Sequence, residues 1–292
     1  MSGNCKEETP LVKAIKKWWP IFVLPTLLAF VIGFIVPFGE GLYLSFCKFT
    51  TINKSSWVGL SNYVKVFQDA QFWDSLAFTC KFTVVSTVLI NVLALTVALI
   101  LTKGIVGTNV FRTIYFMPNL IGGIVLGYIW NILINCVLSI LGKPLLALNT
   151  TAGYWGMIVL MCWQQIGYMM IIYIAGLQSI PSSLIEAARI DGAGEIKTFS
   201  TIALPMIKPG IGALAIFTFI NAWNDYFMQL IMLTSTNTLT ISLGIAKLQG
   251  ENSTDFGLIM AGATLAAVPI IIVFLIFQKY FTKGITMGAV KG

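Results

Sequence analysis

Long apolar stretches separated by short polar segments dominate the pattern along the chain. Six of them run for about the 20 residues that a helix needs to cross the hydrocarbon core of a bilayer. None of the six carries more than one charged residue, and none alternates as barrel strands do. The pattern predicts an all-α integral membrane protein with spans at residues 20–44, 78–102, 113–135, 154–178, 209–233 and 257–279.

Composition agrees with this pattern. Hydrophobic residues make up 57% of the 292 residues, and charged residues make up only 10%. Soluble domains carry about 25% charged residues, so a soluble globule or a disordered chain is excluded. We expect a cytoplasmic N-terminal segment at residues 1–19 and a single membrane domain at residues 20–292.

The distribution of basic residues predicts the orientation in the membrane. Six spans place both termini on one side, and putting them in the cytoplasm leaves twelve of the 18 bases on that side. The positive-inside rule favours this arrangement in a plasma membrane. It also accounts for much of the net charge of +7 without a nucleic-acid partner. The first apolar stretch is too long for a signal sequence, so we expect it to be retained.

Several kinds of catalytic site are excluded by missing residues. The chain has no histidine, and its five cysteines are scattered without a CxxC pair. A histidine-based catalytic site is therefore impossible, and a metal site or a cofactor is not expected. No GxxxxGK[ST] motif is present, so the chain has no P-loop with which to hydrolyse ATP. We expect no enzymatic activity.

The inner connection at residues 179–208 has its own pattern. Pro181 and the two serines after it are typical of a helix start, and Gly192 accepts the left-handed conformation that ends helices. We expect a short helix with a surface of small residues that enters a groove on a partner. An ordinary charged loop with one helical turn fits these residues equally well.

The spacing of residues within this connection resembles the EAA signature of ABC importer permeases. Three residues separate Ala188 from Gly192, and nine separate Gly192 from Ile202. The residues that match are Glu186, Ala187, Ala188, Gly192, Ile202, Leu204 and Pro205.

The resemblance extends over nearly the whole chain. Residues 22–63 and 111–130 resemble the first permease of the maltose and glycerol-phosphate type of importer. The final third, including Trp223-Asn224-Asp225-Tyr226 and the closing residues 283–292, looks more like the second permease. Either position in a heterodimer, or both positions in a homodimer, therefore stays open.

In that family the short inner helix is a coupling helix, which docks on the ATPase subunit. The resemblance implies a six-helix permease bundle, ATPase partners, a second permease, an extracytoplasmic solute-binding protein and a sugar as solute. The residues implied in coupling are Glu186, Ala187, Ala188, Asp191, Gly192, Ile202, Leu204 and Pro205.

Polar residues within the spans are candidates for the solute pathway. Polar groups in membrane helices normally face the bundle interior, and a sugar needs amides for its hydroxyl groups and aromatic rings for its apolar faces. The candidates on spans three, four and five are Tyr128, Asn131, Asn135, Gln164, Tyr168, Asn221, Asn224 and Asp225.

These candidates have structural alternatives. Asparagine and glutamine also act as hydrogen-bonding glue between membrane helices. Asp225 either lines the outer mouth of the pathway or caps a helix break after Asn224.

The sequence therefore predicts a permease subunit of an ATP-driven carbohydrate importer, which forms half of the pathway. A permease for polyamines, amino acids or peptides is the nearest alternative. A self-sufficient secondary transporter is the other, although few ionisable residues lie within the spans to couple ions.

Overall fold

The computed structural model describes residues 10–49, 55–233, 239–251 and 255–289. Most of these residues are helical. The α-helices are α1 (Pro10–Phe30), α2 (Val36–Leu44), α3 (Ser61–Gln68), α4 (Ala70–Leu101), α5 (Thr108–Phe116), α6 (Gly123–Ile140), α7 (Thr150–Gln178), α8 (Ser182–Ile190), α9 (Glu195–Thr198), α10 (Leu204–Asn224), α11 (Phe227–Met232), α12 (Ile241–Glu251) and α13 (Phe256–Ala289).

Six helices within the described residues are long and apolar enough to cross a membrane. They confirm the six spans expected from the sequence, with shifted bounds. These spans are Lys16–Leu44, Ala70–Leu101, Gly123–Ile140, Thr150–Gln178, Glu195–Asn224 and Phe256–Tyr280.

The first span contains a local change of helix type. Helix α1 accommodates Pro20 and Pro25, and a π-helical turn at Val31–Ile35 joins it to α2. Such a turn occurs where prolines and glycines loosen the hydrogen-bond ladder. Gly33 lies inside this turn, and Pro37 follows it.

The second span starts earlier than the predicted residue 78. Asp69 is the N-cap of α4, and its carboxylate accepts a hydrogen bond from the Gln71 amide at 2.9 Å. Capping of this kind stabilises a helix start, which the hydrophobic pattern could not locate.

The third and fifth spans differ more from the prediction. The predicted third span, 113–135, is split because α5 ends before a 3₁₀ turn at Met117–Leu120, and α6 begins only at Gly123. Pro118 and the following glycine pair explain the break. The predicted fifth span, 209–233, ends at Asn224, and a short helix α11 follows an extended Asp225.

The described residues form two compact units. The first lies within residues 1–66 and 253–264, and the second within 67–252 and 265–292. In the first unit, β1 (Cys47–Lys48) pairs antiparallel with β2 (Ser56–Trp57). The buried Asn62 side chain donates hydrogen bonds to the carbonyls of Ser45 and Cys47, both at 2.9 Å, and so ties α3 to this hairpin.

The second unit holds a core formed mainly by α4, α7 and α10. Small and flexible side chains fill it, among them Ala94 and Ala98 on α4 and Met169 and Met170 on α7, all fully buried. Small residues let membrane helices approach closely, and van der Waals packing is the main force that joins helices in lipid.

A buried hydrogen-bond network links the same three helices. The Asn91 amide donates to the Thr218 hydroxyl at 2.8 Å, and the Tyr173 hydroxyl donates to the Asn91 oxygen at 2.6 Å. Each of these side chains comes from a different helix. None of these three residues is among those predicted from the sequence, because one polar residue within a span carries no sign of its partners.

Candidate functional site

The inner connection contains the short helix that the sequence predicted. Helix α8 runs from Ser182 to Ile190 and begins directly after Pro181. Gly192 follows it with a φ of +73°, the left-handed conformation expected there.

The end of α8 is a complete Schellman turn. The Gly192 amide donates to the Arg189 carbonyl at 3.1 Å, and the Ala193 amide donates to the Ala188 carbonyl at 2.9 Å. These two bonds satisfy carbonyls that the helix end leaves free. Gly192 therefore fixes the direction in which the chain leaves the short helix.

One face of α8 is open. Glu186 and Ala187 are exposed, whereas Ala188 is only 7% exposed. Two large aliphatic side chains are each 86% exposed: Ile190, the last residue of α8, and Ile196, which lies six residues further along the chain. An exposed surface with small and apolar residues is typical of a region that a partner covers.

The connection enters the fifth span through a second π-helical turn. This turn, Phe199–Ala203, contains Ile202, and Leu204 and Pro205 begin α10 directly after it. Ile202 and Leu204 are half-buried, and Pro205 is exposed. Asp191 is exposed, and its amide donates to the Ala187 carbonyl at the C-terminal end of α8.

A second feature of the second unit is a polar cavity of about 230 Å³. It brings together three of the predicted pathway residues, Gln164, Tyr168 and Asn221. Three further residues complete the lining: Asn119, Gln165 and Phe217.

The lining combines neutral amides with aromatic rings. The rings of Tyr168 and Phe217 lie 5.8 Å apart at an interplanar angle of 40°. Each amide supplies both a donor and an acceptor, and no residue in this lining carries a formal charge at neutral pH. The cavity therefore suits a neutral molecule that has hydroxyl groups and apolar faces.

Gln165 provides an unused hydrogen-bond acceptor. Its side-chain oxygen is buried and has no hydrogen-bond partner. An unpaired buried polar atom costs free energy, and Gln165 also lines the cavity. A ligand hydroxyl that reached this oxygen would relieve that cost. The neighbouring Gln164 amide reaches the Ile121 carbonyl only at 3.5 Å.

A close helix contact places these residues. A Cβ atom added at Gly167 would overlap the carbonyl oxygen of Tyr115, at the end of α5. Glycine alone lets α7 approach the end of α5 this closely. As a result, the glutamines of α7 lie beside Asn119 of the 3₁₀ turn.

Sequence reasoning missed Asn119 and Phe217. Phe217 precedes Asn221 by four residues and so shares its helix face, a signal that was available. Asn119 lies in the 3₁₀ turn that interrupts the predicted third span, and only the tertiary structure places it at the cavity.

The predicted residues on α6 are used in structural hydrogen bonds. Asn131 donates to the Ile231 carbonyl at 2.9 Å, and Asn135 donates to the Asn131 side-chain oxygen at 2.9 Å. Asn135 also accepts a bond from the Leu146 amide at 2.8 Å. Tyr128 is 61% exposed. None of the three lines the cavity, and the bonds of the two asparagines correspond to the glue alternative.

Asp225 lies at the break between α10 and α11. Its backbone is extended, and one carboxylate oxygen accepts from the Met228 amide at 3.4 Å. This contact caps α11 and corresponds to the capping alternative. Asn224 is exposed, and its amide donates back to the Ile220 carbonyl at 3.0 Å.

Within the described ranges, no group of three or more Cys, Asp or Glu side chains could hold a metal ion.

A protein-family comparison matches residues 90–287. The matching family is described as the binding-protein-dependent transport system inner membrane component.

Curated relatives cover most of the chain. It is 37% identical over 281 residues to the probable starch degradation products transport system permease protein AmyD of Thermoanaerobacterium thermosulfurigenes, covering 91% of this chain and 94% of that protein. It is 33% identical over 272 residues to the sn-glycerol-3-phosphate transport system permease protein UgpA of Escherichia coli O157:H7, covering 89% and 90%.

A solved structure has the same fold. The crystal structure of a bacterial ABC transporter involved in the import of the acidic polysaccharide alginate matches with a TM-score of 0.77 and 23% identity. The match covers 94% of this chain and 98% of that chain.

Proposed function

The chain belongs to the family of binding-protein-dependent transport system inner membrane components, and we propose that it is the permease subunit of an ATP-driven importer of neutral carbohydrates. It is a membrane-embedded transport subunit rather than an enzyme. It forms half of the translocation pathway, and a separate ATPase supplies the energy.

The single observation that carries the carbohydrate assignment is the cavity lined by uncharged residues. Four amides and two aromatic rings surround a volume of about 230 Å³, which fits about one sugar ring. A phosphorylated or acidic solute would need basic groups in this lining. We therefore favour neutral sugars over the glycerol phosphate that is named for one relative and the acidic polysaccharide named for the solved structure.

The relatives support the same class of solute. The relative from Thermoanaerobacterium thermosulfurigenes is named for starch degradation products, and one from Bacillus subtilis is named for melibiose, raffinose and stachyose. These solutes are neutral oligosaccharides. A polyamine or an amino acid would bring a charge that the cavity does not complement.

The residues proposed to line the solute pathway are those of the cavity. Three were predicted from the sequence, Gln164, Tyr168 and Asn221, and three are further residues of the same lining, Gln165, Asn119 and Phe217. Asn224 and Asp225 are proposed to shape the pathway through the helix break. Asn131 and Asn135 are proposed to act on it indirectly, by holding α6 in place. Tyr128, which is exposed on the same helix, stays a candidate for contact with the solute.

The partners follow from the architecture. ATPase subunits would dock on the exposed face of α8, where Glu186 offers a polar contact and the two alanines permit close approach. Gly192 sets the exit angle, and the residues from Ile202 to Pro205 pass movement of α8 to α10. Closing of the ATPases would shift the bundle between two states that differ in their contacts.

A second permease completes the pathway, and a solute-binding protein delivers the sugar outside the cell. The most apolar 18-residue stretch of the first span has no residue buried against the rest of this chain. We propose that lipid and the second permease cover this stretch. Both termini lie in the cytoplasm under the distribution of bases described above.

Purification of the tagged chain from its native membrane in mild detergent tests this function. We expect ATPase subunits and a second, different permease to co-purify. The complex should then import maltotriose, a neutral glucose trimer, when ATP and the binding protein are supplied. Recovery of the chain alone after crosslinking, or uptake abolished by a protonophore but not by ATP depletion, would contradict the proposal and favour secondary transport.

A further inference from the structure

An ion pair joins the inner ends of the second and fifth spans. The Lys103 ammonium lies 2.8 Å from a carboxylate oxygen of Glu195, and the two residues are 92 positions apart in the sequence. The two side chains are 63% and 80% exposed, respectively.

Both charges of this pair lie at helix ends where the helix dipole stabilises them. Lys103 follows the C-cap of α4, where a positive charge is favourable, and Glu195 is the first residue of the helical run that continues into α10. Each charge therefore interacts with a helix dipole as well as with its partner.

The pair also reaches the short helix α8. Arg189 in the last turn of α8 adds an attractive electrostatic interaction with Glu195. Lys103, Glu195 and Arg189 line the same cleft, so the pair is close to a base of the proposed coupling helix.

An open cleft lies beside the pair. It has a volume of about 1000 Å³ and lies between α4 and the inner connection. The walls include Thr96, Leu99 and Ile100 on one side and Ile185, Ala193 and Phe199 on the other, with Lys103 and Glu195 in the same lining. The side chains of α4 and of the inner connection therefore leave a gap between them at this place.

We propose that Lys103 and Glu195 are positioning residues of the coupling helix, which hold the connection that carries α8 in one orientation relative to the second span. This proposal rests on the proposed function, because α8 is the element on which the ATPase would push.

Neither residue of the pair lines the proposed solute cavity. An exposed ion pair contributes little to folding, but a connection beside an open cleft needs only a small free energy to select one orientation. Loss of the pair should leave the chain folded while ATP hydrolysis becomes less tightly linked to transport.

A double-mutant cycle in the isolated chain tests the positioning. Lys103→Gln, Glu195→Gln and the double variant are compared with wild type by amide hydrogen exchange over residues 193–199, in lipid nanodiscs. We expect each single variant to exchange about two- to fivefold faster, the range that exposed ion pairs contribute. The double variant should exchange no faster than either single variant, because both remove the same interaction.

Two controls sharpen this test. Lys197→Gln removes an exposed base two residues from Glu195 and should leave exchange at the wild-type rate. High salt should bring the wild type towards the variants, because the Debye length falls to about 3 Å at 1 M ionic strength. Unchanged exchange in the single variants, or effects that simply add in the double variant, would overturn the positioning role.

A second measurement, made on the assembled complex, determines the ratio of ATP molecules hydrolysed to maltotriose molecules imported. We expect this ratio to rise at least twofold in both single variants and to rise no further in the double variant. An unchanged ratio would overturn the coupling role. If the wild-type complex imports nothing, the proposed function fails, and the exchange cycle still decides whether the pair positions the connection.

Discussion

At the scale of single residues, Gln165 combines two observations: it lines the polar cavity, and its side-chain oxygen has no hydrogen-bond partner among the described residues. That oxygen is buried, and the other polar groups of the cavity lining are amides or a phenol. A hydrogen bond to a hydroxyl contributes about 0.5–1.5 kcal/mol when it forms, so one missing acceptor should have a measurable effect on transport.

We predict that Gln165→Leu lowers the maltotriose uptake rate about two- to tenfold at saturating binding protein, which corresponds to the loss of one such bond. The variant should assemble normally, since this oxygen accepts no hydrogen bond from the part of the chain that the structure describes. Gln71→Leu makes the same change at an exposed position and serves as the control. Equal uptake rates in wild type and Gln165→Leu would remove Gln165 from the pathway.

Asn91 shows the opposite use of an amide. Both ends of its side chain are occupied, by Thr218 on α10 and by Tyr173 on α7. This asparagine holds the bundle together and has no free group for a solute.

Tyr173→Phe should therefore reduce stability rather than transport specificity. Side-chain hydrogen bonds between membrane helices average about 0.6 kcal/mol and reach about 1.7 kcal/mol, and we expect a loss in this range. Thermal unfolding in detergent measures it, with Tyr128→Phe at an exposed position as control. If the two variants unfold at the same temperature, the network contributes nothing measurable.

At the scale of elements, the turn after α8 determines how the inner connection leaves the short helix. A Cβ at Gly192 would meet no atom within 4 Å, so the site has room for a side chain. The constraint is the backbone, because a φ of +73° is unfavourable for residues with a branched Cβ.

Gly192→Val should cost about 1–2 kcal/mol in the native turn, and the chain should relieve this cost by changing the exit angle of α8. We expect more ATP hydrolysed per maltotriose while membrane insertion stays normal. Gly194→Ala is the matched control, since Gly194 has equal room and an ordinary φ of −68°. Gly192→Asn should retain most of the coupling, because asparagine accepts the left-handed region. Tight coupling in Gly192→Val would count against the coupling-helix assignment.

The break between α10 and α11 is a second feature at the scale of elements that sets the direction of the chain. Asp225 ends one helix and caps the next, so the chain changes direction where a continuous helix would otherwise run. Interrupted helices are common in transport proteins where the backbone lines a cavity.

At the scale of the whole molecule, the described residues contain six helices that could cross a membrane, and the proposed orientation puts both termini on the cytoplasmic side. The inner connection with α8 would lie on that side too, and the hairpin containing Trp57 on the other.

Single cysteines at exposed positions can test this orientation in a variant that lacks the native cysteines. A membrane-impermeant maleimide added to intact cells should label Trp57→Cys and should leave Glu186→Cys unlabelled. In cells without the ATPase subunits that are proposed to cover Glu186, opening the cells should make Glu186→Cys reactive, which is the control for its accessibility. Labelling of Glu186→Cys in intact cells would reverse the proposed orientation.

Local rules were enough for several features of this protein. Apolar length identified six spans, because the bilayer requires about 20 apolar residues per helix. Proline, serine and glycine chemistry predicted both ends of α8, since capping depends on neighbouring residues in the chain. The spacing from Glu186 to Pro205 pointed to the family that the comparison then identified.

The tertiary structure alone decided which polar residues meet. Asn131 and Gln164 are both amides within apolar helices, yet the first bonds to the Ile231 carbonyl and the second lines the cavity. Helical periodicity gives the face of a residue but not the element opposite that face. The Lys103–Glu195 pair, the close contact at Gly167 and the position of Asn119 all depend on packing between segments distant in sequence. That packing is a property of the folded bundle, which no local pattern encodes.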